Sequence, residues 1–528
     1  MAIDVETPQS PGWWLKKLSD KLNARRATFD DLFRRYEGDS LLPRSLWDAP
    51  EAAKRFYRTA RTAFAEMIVK AVRYPLKIQS VSTIIESGSA GDLVAWRLMQ
   101  ACGMKHESND VHRNALIAGW AYAIIGQHEQ HGIRYTAEDP REVVTIQDPV
   151  VQAESLAALK ITHDDTAGRD YAWLYLPGRV YRASRKAGNT GRAPRFSPWS
   201  FDWDPEYNGA EGVPLPEGFE NTIPVITYRN EEGIGEFQRH RDTLDRVDHL
   251  ILQGMVIATY QAFKQRGIKV NPEHMPDYDE ETGEEINYDD VFSADPGALW
   301  KLPESAEMWE SGAVDVTPVW TGVDRAIQQL SATTFTPLAM FSPEGQNQTA
   351  EGATFAREGR TFKIEDRQDL FGDAHARALS LMLRMAGEED RADIAGLRVA
   401  WKPAERHSLA SKADAMSKTR GDLPFRQRVI DIWQASPEEA DEMEQLREEE
   451  LLRSMVADPS ALAVGSVPGD GEVSMLEDAQ ELRQRADTLG LLRRAGVKAE
   501  DAAERAGLSG ITFIEGDPIT IRSRDGSE

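Results

Sequence analysis

The chain has 528 residues, 41% hydrophobic and 28% charged, a balance that excludes a disordered or fibrous protein and leaves room for several folding units. Its formal charge of −25 excludes a protein that wraps nucleic acid with clustered Lys and Arg, though not one past which DNA slides without being gripped. Cys102 is the sole cysteine, so no intrachain disulfide can form, and beside Gly103 it reads as a small buried apolar residue.

The first residues, MAIDVETPQSPGWW, are acidic and lack the basic-then-apolar order of a secretory leader, which points to synthesis and assembly in a cytoplasm. From Trp13 to about Ile84 the apolar spacing is helical. Leu15, Leu18 and Leu22 share one face, and Phe56, Ala60, Phe64 and Ile68 recur every four residues. The stretches at Tyr36–Asp39 and Ala49-Pro50 read as turns.

Between His112 and Arg229 the texture becomes mixed. ALIAGWAYAIIG (115–126) reads as a helix end running into a strand, and REVVTIQDP, YAWLYLPGRVYRA and NTIPVITYRN are rich in β-branched and aromatic residues. Pro177-Gly178 is placed to turn a hairpin, and Arg182 to Gly218 is loop-like.

A long helix is expected from Glu236 to Gln265, amphipathic at first and then apolar on nearly every face. Such a helix has to be buried all round, in a large core or between subunits. Gly254, Ala258 and Ala262 form a small-residue stripe that lets a neighbouring helix approach. The apolar run Leu250–Phe263 is too short to cross a bilayer and is broken by Gln253 and Gln261.

Residues 271–318 are acidic and turn-rich and read as an insertion between helices. A shorter helix follows at Gly322–Phe335, then Thr336-Pro337 and a loose, amide-rich loop, Phe341–Gln348. The next helix, Thr349–Met385, carries the clearest periodicity in the chain through Phe371, Ala374, Ala378, Leu381 and Met385. From Ser411 the tail reads as helices broken by Pro424 and Pro437, and the acidic run Glu438–Glu450 as a solvated helix face.

Familiar chemical signatures fail on inspection. The loop Gly345–Gly352 has two glycines at the wrong spacing for a phosphate-cradling loop, and no lysine follows. His128 and His131 are three apart rather than the four that place two metal ligands on one helix face. At Asp277, Asp279 and Glu281, Thr282 stands where a calcium loop requires glycine. No catalytic set, metal site or cofactor is therefore expected, and the reading opposed to a structural protein is an intracellular α/β enzyme with an unrecognised acidic active site.

The order of parts is distinctive: a mixed body, a long helix, an acidic insertion, a short helix, Thr-Pro, an amide-rich loop, a long helix and a helical tail. With ALIAGWAYAIIG, LDRVDHLILQGMVIATYQAFKQRGIKV and FSPEGQNQTAEGATFAREGRTFKIEDRQDLFG, this order resembles the portal proteins of tailed double-stranded-DNA phages, of the siphophage type, over residues 25 to 500. The resemblance implies an α+β portal fold and a ring-shaped homo-oligomer of about twelve copies at one capsid vertex. It also implies no enzymatic activity.

Carried onto this chain, residues 1–24 are an N-terminal arm and 25–235 the first part of a wing. Residues 236–265 and 322–336 are the two stem helices and 266–321 a small α/β clip. Residues 337–410 complete the wing, with a tunnel loop at 341–348 and its long helix at 349–385, and 411–528 form a crown and tail.

Within the tunnel loop, Ser342, Pro343, Glu344, Gly345, Gln346, Asn347 and Gln348 would face the DNA channel, where amides and glycine offer uncharged contacts to passing phosphates. Lys264, Arg266 and Lys269 would form basic rings or ordinary surface charges, and Gly254, Ala258 and Ala262 would serve subunit packing. The implied partners are double-stranded DNA passing through without sequence specificity, a terminase motor, a head-completion or adaptor protein, the major capsid protein and a scaffolding protein. The implied place is the virion.

Overall fold

The computed structural model describes residues 3–42, 50–85, 91–187, 197–216, 218–262, 266–269, 307–310, 314–342, 350–405 and 408–457, with isolated positions between them. The chain divides into two units, Met1–Glu444 and Gln445–Glu528. Of the second, the described part is the end of one helix.

Helix α1 (Pro11–Tyr36) begins where Ser10 accepts a hydrogen bond from the Trp13 amide, with Pro11 in the first turn, where its missing N–H costs nothing. Its face Leu15, Leu18 and Leu22 is buried, as the spacing predicts. The helix begins at Pro11 and is continuous across residue 25, so the boundary expected between 24 and 25 falls inside it.

The Phe56-to-Ile68 stripe spans two helices, α2 (Glu51–Ala60) and α3 (Phe64–Arg73), separated by a break at Arg61. On α2 the buried aromatic is Tyr57, while Phe56 is only half-buried. Strand β1 (Ile78–Ser82) then leads to α4 (Leu93–Ala101), whose first amides, Val94 and Ala95, donate to the buried Asp92 carboxylate.

Helix α5 (Met104–Ala118) runs through Gly119 straight into β2 (Trp120–His128), the helix-to-strand change expected at 115–126. Gly119 has φ +79° and passes the 230–236 loop so closely that an added Cβ would lie 2.2 Å from the Gly233 carbonyl oxygen, so only glycine fits.

Among the described residues every strand pairing is antiparallel. One sheet is β10 (Val225–Arg229), β2 and β3 (Gly132–Glu138). A larger one is β4 (Val143–Gln147), β5 (Ser155–Asp164), β6 (Arg169–Leu176), β7 (Arg179–Lys186) and the short β8 (Asp202–Trp203), with β9 (Val213–Pro214) also on β7. Pro177 and Gly178 turn the β6–β7 hairpin as expected, whereas β3 and β5 escape the sequence reading.

The leucine face of α1 packs onto the larger sheet with Val144, Leu159, Ile161 and Leu174. The main core lies between α3, α4, α5, the smaller sheet and the long helix described below. Helices segregated onto antiparallel sheets make this an α+β fold.

From this body the chain leaves as α6 (Arg241–Ala262), makes the two-stranded sheet β11 (Arg266–Lys269) and β12 (Glu307–Glu310), and returns as α7 (Thr317–Thr334). The expected helix at 236–265 starts five residues later than its sequence suggests, because residues 238–240 form a tighter turn. The returning helix starts earlier than expected, with Pro318 in its first turn, so position 321 falls inside it.

The pair is antiparallel. Arg246 reaches Gln329, Leu250 lies against Gly322, Gly254 against Trp320, and Gln261 donates to the Val314 carbonyl.

Helix α8 (Ala350–Met385) buries Phe371, Ala374, Ala378 and Leu381 against the core, and β13 (Arg398–Trp401) then pairs with β1. The tail continues through α9 (Leu409–Lys418), α10 (Phe425–Arg428) and α11 (Pro437–Ala457). The acidic run on α11 is largely exposed through residue 449.

Candidate functional site

The ends of α6 and α7 meet α8 at one junction, and the residues that make it start from a glycine. Gly235 crosses the end of α5 so closely that an added Cβ would sit 1.9 Å from the Ile117 carbonyl oxygen. That approach lets the Glu236 amide donate to the Leu116 carbonyl at 2.7 Å and fixes where the Glu236 side chain enters the protein.

The Glu236 carboxylate is 2% exposed. From α8, Lys363 and Arg367 are four residues apart and project from the same face. Lys363 Nζ lies 2.5 Å from Glu236 Oε2, and Arg367 Nε donates to Glu236 Oε1 at 2.8 Å. Asn230 Nδ2 also donates to Oε1, at 3.1 Å. Burial pushes the Glu236 carboxyl up, but Lys363 and Arg367 outweigh it and hold the group below its ordinary range.

Arg367 also bonds Glu231 at 2.9 Å and pairs with Asp366. Lys363 donates further to the Thr334 carbonyl at 3.0 Å, at the last residue of α7. A cleft of about 500 Å³ opens beside this cluster, with Phe335 and Phe362 exposed at its lip and the Glu232–Arg239 ion pair across it. Its acids and bases neutralise one another, which suits a joint between helices better than acid–base chemistry.

A second buried polar chain joins α5, α8 and two strands. Tyr135 donates to the Tyr228 hydroxyl at 2.8 Å, Tyr228 bonds His375 Nδ1 at 2.9 Å, and His375 Nε2 lies 2.8 Å from His112 Nε2. Both imidazoles are buried, and His112 stacks on Phe371 with ring centroids 5.3 Å apart. Burial drives the His375 pKa down to about 3, and burial with the neighbouring imidazole keeps His112 well below its ordinary value. The pair is neutral at pH 7.

The residues singled out from sequence lie elsewhere. Ser342 is half-buried at the end of a short turn, its amide donating to the Leu338 carbonyl at 3.0 Å. Pro343, Glu344, Gly345, Gln346, Asn347 and Gln348, and likewise Lys264, lie outside the described residues. In the strand register Arg266 stands opposite Glu310 and Lys269 opposite Glu307 across β11 and β12, and Lys269 is exposed.

The small-residue stripe is divided. Gly254 is buried under Trp320 of its own chain, an added Cβ there meeting the indole at 3.1 Å, so the close approach it permits is used by α7. Ala258 is exposed, and the side chain of Ala262 lies outside the described residues.

Cys102 is buried, and burial pushes its thiol up to about 11. His128 and His131 stack at 4.7 Å on an exposed turn. No described group of three or more His, Cys, Asp or Glu is placed to hold a metal ion. No described helix is long and apolar enough to cross a membrane.

Sequence reasoning missed Glu236, Lys363 and Arg367. The available signal was two basic residues four apart on a helix whose neighbours Ile364 and Phe371 are core-forming, a position where an unpaired charge would be untenable.

Among the solved structures similar to this chain are three whose matched chains cover 72% of it and are themselves covered to 93%. They are the neck of an empty GTA particle computed with C6 symmetry (TM-score 0.41, 11% identity) and the virion of a native gene transfer agent (GTA) particle (0.38, 13%). The third is the neck of a native GTA particle computed with C12 symmetry (0.36, 12%). No curated protein sequence matches. The profile described as "Phage portal protein, SPP1 Gp6-like" matches residues 15–451, from the first leucine of α1 into α11, and the chain belongs to that phage portal protein family.

Proposed function

We propose that copies of this chain form the ring at one capsid vertex through which double-stranded DNA is packaged and later ejected. Membership of the portal family carries the reading. A property of α6 supports it: in the single chain Ile251, Leu252, Met255, Val256 and Ile257 stay half-exposed although nearly all of this part of the helix is apolar. Such faces cost free energy in water, roughly 25 cal/mol for each Å² left uncovered, and neighbouring subunits would remove that cost.

In this reading α6 and α7 are the stem and the residues between them the clip. The loop at 341–348 lines the channel, and its amides and glycine touch passing phosphates without retaining them. A charge of −25 per chain leaves the walls acidic, so DNA is repelled rather than bound. The ring is a conduit and docking platform rather than an enzyme. A separate terminase drives the DNA, and adaptor, capsid and scaffolding proteins meet the ring's outer parts during assembly in the host cytoplasm.

Negative-stain imaging of the purified protein, with mass measurement in parallel, tests this. Rings of about twelve copies with an axial hole are expected. Compact monomers or dimers at every salt and protein concentration would overturn the proposal and favour the acidic-site enzyme, to be pursued by activity screening. If Lys264, Arg266 and Lys269 face DNA, neutralising all three will alter packaging or retention, and an unchanged phenotype would assign them to the outer surface.

A further inference from the structure

The junction at Glu236 brings together three elements that are remote in sequence. Lys363 of α8 bonds the Glu236 carboxylate ahead of α6, at 2.5 Å, and the Thr334 carbonyl that ends α7, at 3.0 Å. One side chain on the long helix therefore holds both the segment that leads into α6 and the last residue of α7.

Two neighbouring contacts restrict the same joint. Phe335 caps α7 with φ +53°, a conformation costly for an aromatic residue, and lies over Gly359, where an added Cβ would meet its ring at 2.8 Å. Arg367, one turn further along α8, bonds the other oxygen of Glu236. Lys363 is 11% exposed on its side chain, so its ammonium depends on these partners and not on water.

We propose that Lys363 is a positioning residue that fixes the angle between α8 and the α6–α7 pair, so that a displacement of α8 is carried to both helices together. Fixing both helix ends through one ammonium gives two-ended coupling, because breaking the bond to either end loses the shared reference point. What the coupling does during DNA passage rests on the portal reading: a push on the channel-side helix would reach the stem as a rigid-body movement. The coupling itself does not rest on it.

Hydrogen–deuterium exchange on the full-length protein tests it, comparing wild type with Lys363→Met, Lys363→Arg and the exposed control Lys418→Met. In Lys363→Met, amides at 238–244 and at 331–336 should exchange at least about tenfold faster, both segments together, while the core segment 111–118 keeps its protection. Lys363→Arg should restore both ends and Lys418→Met should leave both unchanged.

A response at one end only would overturn the coupling, as would an equal rise in the core segment, no change, or an arginine variant that behaves like methionine. Should Lys363→Met fail to fold, Lys363→Gln, which keeps a polar end on a shorter arm, takes its place under the same criteria. Ring imaging of the same samples separates the two ideas. Uncoupled ends in an intact ring overturn only the latch, whereas coupled ends in a protein that forms no ring overturn only the portal assignment.

Discussion

The buried imidazole pair makes the stability of this protein depend on acid in a calculable way. His112 and His375 stay neutral in the fold, with His375 pushed down to about 3, whereas in the unfolded chain both titrate near their ordinary value. A folded pKa below the unfolded one means the unfolded chain binds more protons, so stability falls as pH drops below about 6.5. Around pH 5.5 the two histidines together cost about 2.5 kcal/mol for each further pH unit.

Other groups act differently in this window. Asp248, raised to about 6 by burial despite its bonds from Thr62, has the opposite sign, since its folded form takes up a proton that the unfolded form does not. His163 is raised by Asp170 and then Asp165, so its contribution is already complete below its unfolded pKa and is lost only as pH rises through its folded pKa. The charges acting on the imidazoles and their phenol partners are Lys77 and Arg73 on His112, Glu107 on Tyr135 and Arg377 on Tyr228.

The double variant His112→Phe/His375→Phe isolates the pair. It keeps an aromatic ring against Phe371 and leaves only the Tyr228 hydroxyl short of a partner, a loss of about 1–3 kcal/mol that does not depend on pH. Urea unfolding at pH 7, 6 and 5 should show wild type losing about 2.5 kcal/mol per pH unit more than the variant over the lower step. Parallel pH profiles would refute the reasoning, because they would mean that the histidines are hydrated or already charged in the fold.

Three further outcomes are expected. Asp248→Asn keeps an acceptor for the Thr62 amide and hydroxyl, now bonded at 2.9 and 2.8 Å, while removing a buried charge; its melting temperature at pH 8 should equal or exceed wild type, and the advantage should vanish by pH 4. Gly235→Ala should destabilise by about 3 kcal/mol in denaturant titration, since its Cβ meets the Ile117 carbonyl and displaces Glu236 from its anchor; a change under about 0.5 kcal/mol would show that the loop yields freely. Cys102, buried with its thiol pushed up to about 11, should resist a soluble disulfide reagent at pH 8 until denaturant is added, and rapid native labelling would contradict its burial.

What could be read from the sequence follows from how local each signal is. The leucine face of α1, the helix-to-strand change at Gly119, the Pro177-Gly178 hairpin and the core stripe of α8 are set by residues within a few positions of one another, and all appear as expected. Strands β3 and β5 were missed because GIRYTAE and SLAALKITHD lack a strong β-branched pattern and are strands by virtue of the neighbours they pair with. The four-residue recurrence from Phe56 to Ile68 reads as helical and is helical, but periodicity alone does not register the break at Arg61 that divides it between two helices.

By itself, then, the sequence determined the fold class, the order of the main parts and the family, since these rest on periodicity, turn chemistry and extended similarity along the chain. Only the tertiary structure decided that Gly254 receives Trp320 of its own chain, that His112 meets His375, and that Glu236 is buried between Lys363 and Arg367. The physical reason is sequence distance. A buried charge or imidazole is tolerable only beside a partner, and here the partners lie on helices and strands brought together by the closing of the core, where no local pattern records the pairing.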